Sequence, residues 1–159
     1  MKKIIKFISL MTFTMGVGIS LTIFLPALGI EGTMYAGYDI GFGKELINID
    51  PFELGSIASA RLPMDPLALL AYIIPLLAGS WLIVSERFKV VSLIGFSAAM
   101  VLLIRLPESI DIIGVLAGNE TFINVEWTMR YGLIIAITLN GIAMVMSTVL
   151  VYHEYTNES

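Results

Sequence analysis

The chain has 159 residues, 57% of them hydrophobic and 14% charged, with a formal charge of −4 and no cysteine. Soluble domains carry about a quarter charged residues, so the apolar excess must face lipid, and one membrane domain with no separate soluble domain is expected. The missing cysteines exclude disulfides, thiolate metal sites, cysteine nucleophiles and a lipoprotein anchor. A single histidine, His153, argues against a histidine-rich metal centre, and the acidic balance argues against general nucleic-acid binding.

Four charge-poor apolar runs follow in chain order, over about 7–25, 66–84, 90–106 and 132–151. The first comes after a basic start with Lys2, Lys3 and Lys6. Roughly 19 helical residues cover about 28 Å, close to the hydrocarbon thickness. Pro26 is expected to end this helix, because proline disfavours helical geometry in the residue before it. Pro75 stands in the middle of the second run and removes one helical hydrogen bond, the one to Ala71, so a bend is expected there. The third run is the shortest, with Arg105 at its end able to snorkel to the interface. Trp127, Tyr131 and Tyr152 flank the fourth and suit the headgroup region.

Orientation follows from Lys and Arg in short segments. Lys2, Lys3, Lys6, Arg87 and Lys89 fall on one side, the last two in the short link Ser85-Glu86-Arg87-Phe88-Lys89. Lys44, Arg61, Arg105 and Arg130 fall on the other, with most of the carboxylates. The expectation is a multi-pass protein of the cell membrane with both termini cytoplasmic. Lys-rich start, apolar stretch and Ala27-Leu28-Gly29 also match the outline of a cleavable signal peptide. The stretch is longer than a signal core and Gly29 is followed by apolar Ile30, so an uncleaved helix is expected.

Two segments, 26–65 and 107–131, are left outside the bilayer. The first is too long for a plain turn and calls for structure of its own. Tyr38, Ile40 and Phe42 alternate with Asp39, Gly41 and Gly43, the period of a strand. Gly43-Lys44 would then turn into a returning strand over 46–49. Asp50-Pro51-Phe52-Glu53 reads as a helix start, with Asp50 capping, Pro51 in the first turn and a short helix to about Ala60. In the second segment, Ile110, Ile113, Val115 and Leu116 read as the apolar side of a short interfacial helix ended by Gly118-Asn119. Ile123, Val125 and Trp127 alternate with Phe122, Asn124 and Glu126 as one more strand, able to pair with the first segment in a small sheet. The fold class expected is an all-α four-helix membrane bundle with a small extracellular cap containing short β-strands.

The candidate chemistry is sparse. The apolar runs lack the ionisable groups that proton relays, voltage sensors and ion-coupled transporters use. Asn140 is the one strongly polar residue deep in a run, with Thr138 nearby; it can bond across to another helix or line a pore, and the first is the commoner use. Small residues recur at packing distance: Thr14, Gly18 and Thr22; Gly95 and Ala99; Gly132 and Ala136. They serve either packing within the bundle or association with a second subunit. The Gly-rich run Gly37 to Gly43 lacks the lysine-serine ending of a phosphate loop. No spacing of the outer carboxylates matches a Ca²⁺ loop. Asn119-Glu120-Thr121 fits a glycosylation acceptor, a triplet common by chance.

Phe24-Leu25-Pro26 at the end of the first helix, Gly37-x-Asp39-x-Gly41 after it and the stretch from Trp127 to Gly132 opening the last helix carry a resemblance. In order and spacing they resemble small, mostly uncharacterised prokaryotic four-helix membrane proteins. The layout, a longer first outer segment and a shorter second, is also similar to that of claudins, without their outer cysteines or Gly-Leu-Trp element. The resemblance implies the architecture and no particular activity.

The function expected is a non-enzymatic scaffold or accessory subunit that presents its cap to another membrane protein, or to a second copy of itself, with no cofactor or metal. Tyr35, Tyr38, Phe42, Phe52 and Met64 are the candidate contacts, with the cap's own core as the alternative use. Pro75, Asn140, Gly18 and Gly95 are the candidate helix-packing or pore residues. An oligomeric channel or transporter lined by Pro75 and Asn140 is the second reading. A lipid-acting enzyme using Glu108, Asp111, Arg105 and Arg130 near the outer interface is the third.

Overall fold

A computed structural model describes residues 2–30, 32–49, 58–85, 88–116 and 119–158. Four long helices form a ring in which each packs on two neighbours: α1 (Lys2–Leu21), α3 (Pro66–Val84), α4 (Lys89–Ser109) and α5 (Tyr131–Glu158). All four are long and apolar enough to cross a membrane. Both chain ends lie at one end of this bundle, and a cap built from the two connecting segments lies at the other. A short helix α2 (Gly37–Phe42) and seven strands make up the cap: β1 (Pro26–Ile30), β2 (Thr33–Ala36), β3 (Lys44–Ile49), β4 (Ala58–Leu62), β5 (Ile112–Leu116), β6 (Asn119–Ile123) and β7 (Thr128–Met129).

The helix ends differ from the apolar runs. α1 stops at Leu21 and tightens into a 3₁₀ turn over Thr22–Phe24; Leu25 is extended, as a residue before proline should be, and Pro26 opens β1. α3 starts where Asp65 caps it, accepting from the N–H groups of Leu67 and Ala68 at 2.9 and 3.3 Å. α4 is longer than α3, because it begins at Lys89 and continues through Pro107 to Ser109. Pro107 falls in the last turn, so it forfeits the hydrogen bond to the Leu103 carbonyl with only two helical residues left to follow it.

Two antiparallel sheets tie the connecting segments together, in strand orders β2-β1-β7 and β3-β4-β5-β6. In the larger sheet Ser59 pairs with Val115 and Arg61 with Ile113, which joins the first segment to the second. In the smaller, Leu28 pairs with Met129. The expected sheet between segments is therefore present, through other strands than the expected ones.

Five expectations are corrected. The run Gly37–Phe42 is helix α2, not a strand. Gly37 and Gly41, four apart, share one face in a strand and in a helix alike; in α2 they let the helix rest against Tyr72 and Leu69 of α3. Gly43, with φ of 81°, ends α2 and leads into β3 instead of turning a hairpin. The strand over 46–49 exists within β3, but its partner is β4. The stretch Ile112–Leu116 is strand β5, not an interfacial helix; its three β-branched residues favour the extended form. Ala58–Leu62 is strand β4, so the expected short helix does not reach Ala60. Its start at Asp50-Pro51-Phe52-Glu53, and Gly118, lie outside the described residues. The last expected strand lies earlier, over Asn119–Ile123, and Val125 and Trp127 fall in the link before β7.

Candidate functional site

The cap offers one broad groove of about 700 Å³ on a face of the larger sheet. Arg61, Ile113, Val115 and Glu120 from β4, β5 and β6 form its floor, with Phe42 and Met64 on its rim. The register explains this floor. Arg61 lies opposite Ile113, and Ile113 opposite Phe122; two residues on, Val115 lies opposite Glu120, on the same face. Arg61 Nη2 donates to Glu120 Oε1 at 3.0 Å across the exposed sheet. Beside the groove, Lys44 holds Asp39 at 3.0 Å. Asp39 is buried and also accepts from the N–H of Ala36, which caps α2. That hydrogen-bonded carboxylate raises Lys44 above its ordinary value of 10.5. Two of the groove's cations are thus already matched by carboxylates, and what the rim offers is apolar surface.

The candidate contact residues separate into two groups. Tyr35 belongs to the core of the cap: it is buried, its ring meets Trp127 edge-on at 5.7 Å, and Lys44 sits 6.0 Å above its centre. Trp127 donates from Nε1 to the carbonyl of Ile110 at 2.8 Å within the second connecting segment, and its ring contact with Tyr35 reaches the first. Phe42 and Met64 are 65% and 58% exposed, and Tyr38, packed on Phe24, is 43% exposed. Phe52 lies outside the described residues.

A second, smaller groove of about 510 Å³ gathers Glu108, Asp111, Glu126, Asn124 and Trp127. It brings together two of the four residues considered for lipid chemistry. Arg105 is exposed, and Arg130 packs against Gly29 of β1, where a Cβ would collide with its guanidinium.

In the bundle, Asn140 is fully buried and its Nδ2 donates to the carbonyl of Phe96 at 2.8 Å, a bond from α5 to α4. Pro75 is buried against α1, where Gly16 has no room for a side chain beside the Pro75 carbonyl. Ser20, one turn on, donates its hydroxyl to the carbonyl of Tyr72, three residues before the proline. A cross-helix donor thus serves the stretch of α3 that the proline perturbs. Gly18 faces Leu139 of α5, and Gly95 faces Ala78 of α3, at 3.3 and 2.8 Å from a built Cβ. Gly132 lets α5 approach Leu25 and Pro26, so two of the sequence elements singled out above meet in space. Thr14 instead bonds its own helix at Leu10, on an exposed face.

The sequence reading missed the tightest helix contact. Gly16 and Ser20 on α1, with Pro75 and Gly79 on α3, are each spaced by four, the pattern of close packing. It also placed Lys89 in a loop, whereas Lys89 begins α4, is buried, and meets Glu154 of α5 at 3.6 Å. No protein-family model, curated protein or solved structure matches this chain.

Proposed function

We propose that this chain is a non-enzymatic accessory subunit of the cell membrane that presents its cap groove to a membrane partner. One observation carries the reading: Phe42 and Met64 stand exposed on the rim of a groove whose Arg61 and neighbouring Lys44 are already ion-paired. An apolar rim beside satisfied charges suits a protein surface that must be covered, with the charges setting register. The ladders β4–β5 and β1–β7 support it further, since they fix the groove to the bundle and limit the ordering that docking would demand. Tyr38 joins Phe42 and Met64 as a contact, and Tyr35 becomes their support.

On this reading both termini are cytoplasmic and the cap is outside. Lys3, Lys6 and Lys89 lie towards the terminal end of the bundle, while Glu45, Asp65, Glu108, Asp111, Glu120 and Glu126 lie towards the cap. Asn140 and Pro75 are engaged in helix packing, and the lining of the groove that holds Glu108 and Asp111 includes no serine, threonine, lysine or histidine.

A photoreactive residue placed at Phe42 or Met64 in the native membrane tests the reading. The expected result is one dominant adduct to another membrane protein, identified by mass spectrometry and absent when the probe replaces buried Tyr35. Labelling by lipid alone from both rim positions would overturn it. Adducts to the same chain would replace the partner with a second copy.

A further inference from the structure

α4 and α5 bury their residues at alternating steps of three and four. On α4 these are Lys89, Ser92, Phe96, Ala99, Leu103 and Leu106; on α5, Leu133, Ala136, Asn140, Ala143, Ser147 and Leu150. Two cross-links fix how the rows face each other: Asn140 with the carbonyl of Phe96, and Lys89 with Glu154. Ser92 lies between Lys89 and Phe96, and Ser147 lies between Asn140 and Glu154. Both serines are therefore held between the same two cross-links, and both are fully buried.

Their hydroxyls behave unlike most of the serine and threonine hydroxyls in the bundle. Thr14, Ser80, Ser97, Thr138 and Thr148 each donate to the carbonyl four residues back, the usual way for a helix in an apolar medium to satisfy a hydroxyl. Ser92 Oγ and Ser147 Oγ have no hydrogen-bond partner in the chain, and neither has Asn140 Oδ1. Three of the five such atoms among the described residues thus fall on one seam, in the half of the bundle nearest the chain ends. A polar atom buried without a partner is costly, and water is what commonly bridges such groups. Beyond Asn140 the rows turn to Ala99, Ala136, Leu103 and Leu133, which offer water nothing.

We propose that the α4–α5 seam is a blind, water-binding cleft. It begins at the Lys89–Glu154 ion pair, is lined by Ser92 and Ser147, and ends at Asn140. Water there bridges the two serine hydroxyls and the Asn140 carbonyl oxygen. Lys89 and Glu154 form its mouth, and the alanines and leucines beyond Asn140 keep it from continuing across the bundle. The inference does not depend on the cap having a partner.

The absence of cysteine from the chain makes the test clean. In the full-length protein in bilayer nanodiscs, Ser92→Cys and Ser147→Cys each carry a single thiol, whose S–H stretch is read by infrared spectroscopy after transfer to D₂O. Ala99→Cys and Ala136→Cys report the dry part of the same rows. The thiols at 92 and 147 should exchange at least about tenfold faster than those at 99 and 136, since exchange reads access of water. Equal rates at all four positions overturn the cleft. Thermal unfolding of Ser92→Ala and Ser147→Ala adds a reading that needs no thiol. Hydroxyls bridged by water leave the midpoint unchanged or lower when removed, whereas a rise in both midpoints means the hydroxyls were dry and the proposal fails.

Discussion

In the bundle, elements meet where side chains are absent. Gly16 lies against the backbone of Pro75, Gly79 against Phe13, and Gly95 against Ala78. In the cap, elements meet through large side chains and strand ladders. Trp127 spans from Tyr35 to Ile110, and β4 and β5 are joined residue by residue from Ala58 to Arg61. A bundle that spans a membrane, as proposed above, would account for the difference. In an apolar medium there is little hydrophobic gain from bringing helices together, so contact rests on how closely backbones approach. Where water surrounds the chain, burying an aromatic surface is itself the driving force. The bundle should therefore be broken by adding atoms, and the cap by removing them.

The largest effect is expected from Gly16→Leu. Its Cβ would run into the Pro75 carbonyl, and backbone on both sides cannot yield. The loss should be about 3 kcal/mol, read by reversible unfolding in mixed micelles. Gly18→Ala is the mild counterpart, a smaller side chain at a roomier site. Its Cβ would meet only the end of the Leu139 side chain at 3.3 Å, which can turn aside, so a change of about 0.5 kcal/mol is expected. Equal losses at the two positions would mean that close approach is not what binds α1 to α3. The reverse operation, Trp127→Ala, should remove about 2 kcal/mol and do so in the cap, leaving the bundle helical. Loss of the Tyr35 ring contact should appear as faster amide exchange in β1 and β5, with α3 and α4 unchanged.

The same division explains what could be read from the sequence. Four long apolar runs require only a count of residues against a bilayer thickness, and all four are helices. In the cap the local pattern carried two meanings. Gly37 and Gly41 satisfy a strand period and a helix period at once, and α3 decides between them by packing on one face. Ile110, Ile113 and Leu116 sit at helical spacing, yet Ile112 to Leu116 is extended because β4 and β6 are there to pair with it. Asn140 was legible as a cross-helix donor because an amide in an apolar run has few other uses. The Phe42–Met64 rim was legible only as a set of aromatic and methionine residues. Which of the set turned inward depended on Trp127, ninety residues from Tyr35 in the chain, and on a ladder that no local pattern announces.

Asn140→Leu tests the one polar tie in the bundle. The side chain of leucine keeps the volume and drops the bond to Phe96. Cross-helix bonds of this kind are worth about 1 kcal/mol, less than in a naive count, because the unfolded helices also find partners in the membrane. A loss near that size, with α4 and α5 still packed, keeps the rule that the bundle rests on approach. A loss as large as that of Gly16→Leu would place a polar bond at its centre instead.

The smallest effect belongs to Lys44 and Asp39, where charge, not shape, is removed. Asp39 is buried and Lys44 is raised above 10.5 by the hydrogen bond it gives to that carboxylate. A cation raised in the folded state stabilises it at every pH below the unfolded value, and this contribution is lost as pH climbs through the folded value. The cap should accordingly loosen in alkali, by an amount that stays small because the Lys44 side chain is 45% exposed and screened. Asp39→Asn keeps the acceptor for the Ala36 N–H, so α2 stays capped, but it removes the charge that holds Lys44. Trp127 fluorescence, followed in a Trp81→Phe background, reads the cap alone. The wild-type signal should unfold more readily as pH passes 10.5, and the Asp39→Asn signal should lack the part of that dependence due to Lys44. Identical profiles in the two proteins would show that the pair contributes only geometry, and the cap would then rest entirely on its aromatic contacts and its ladders.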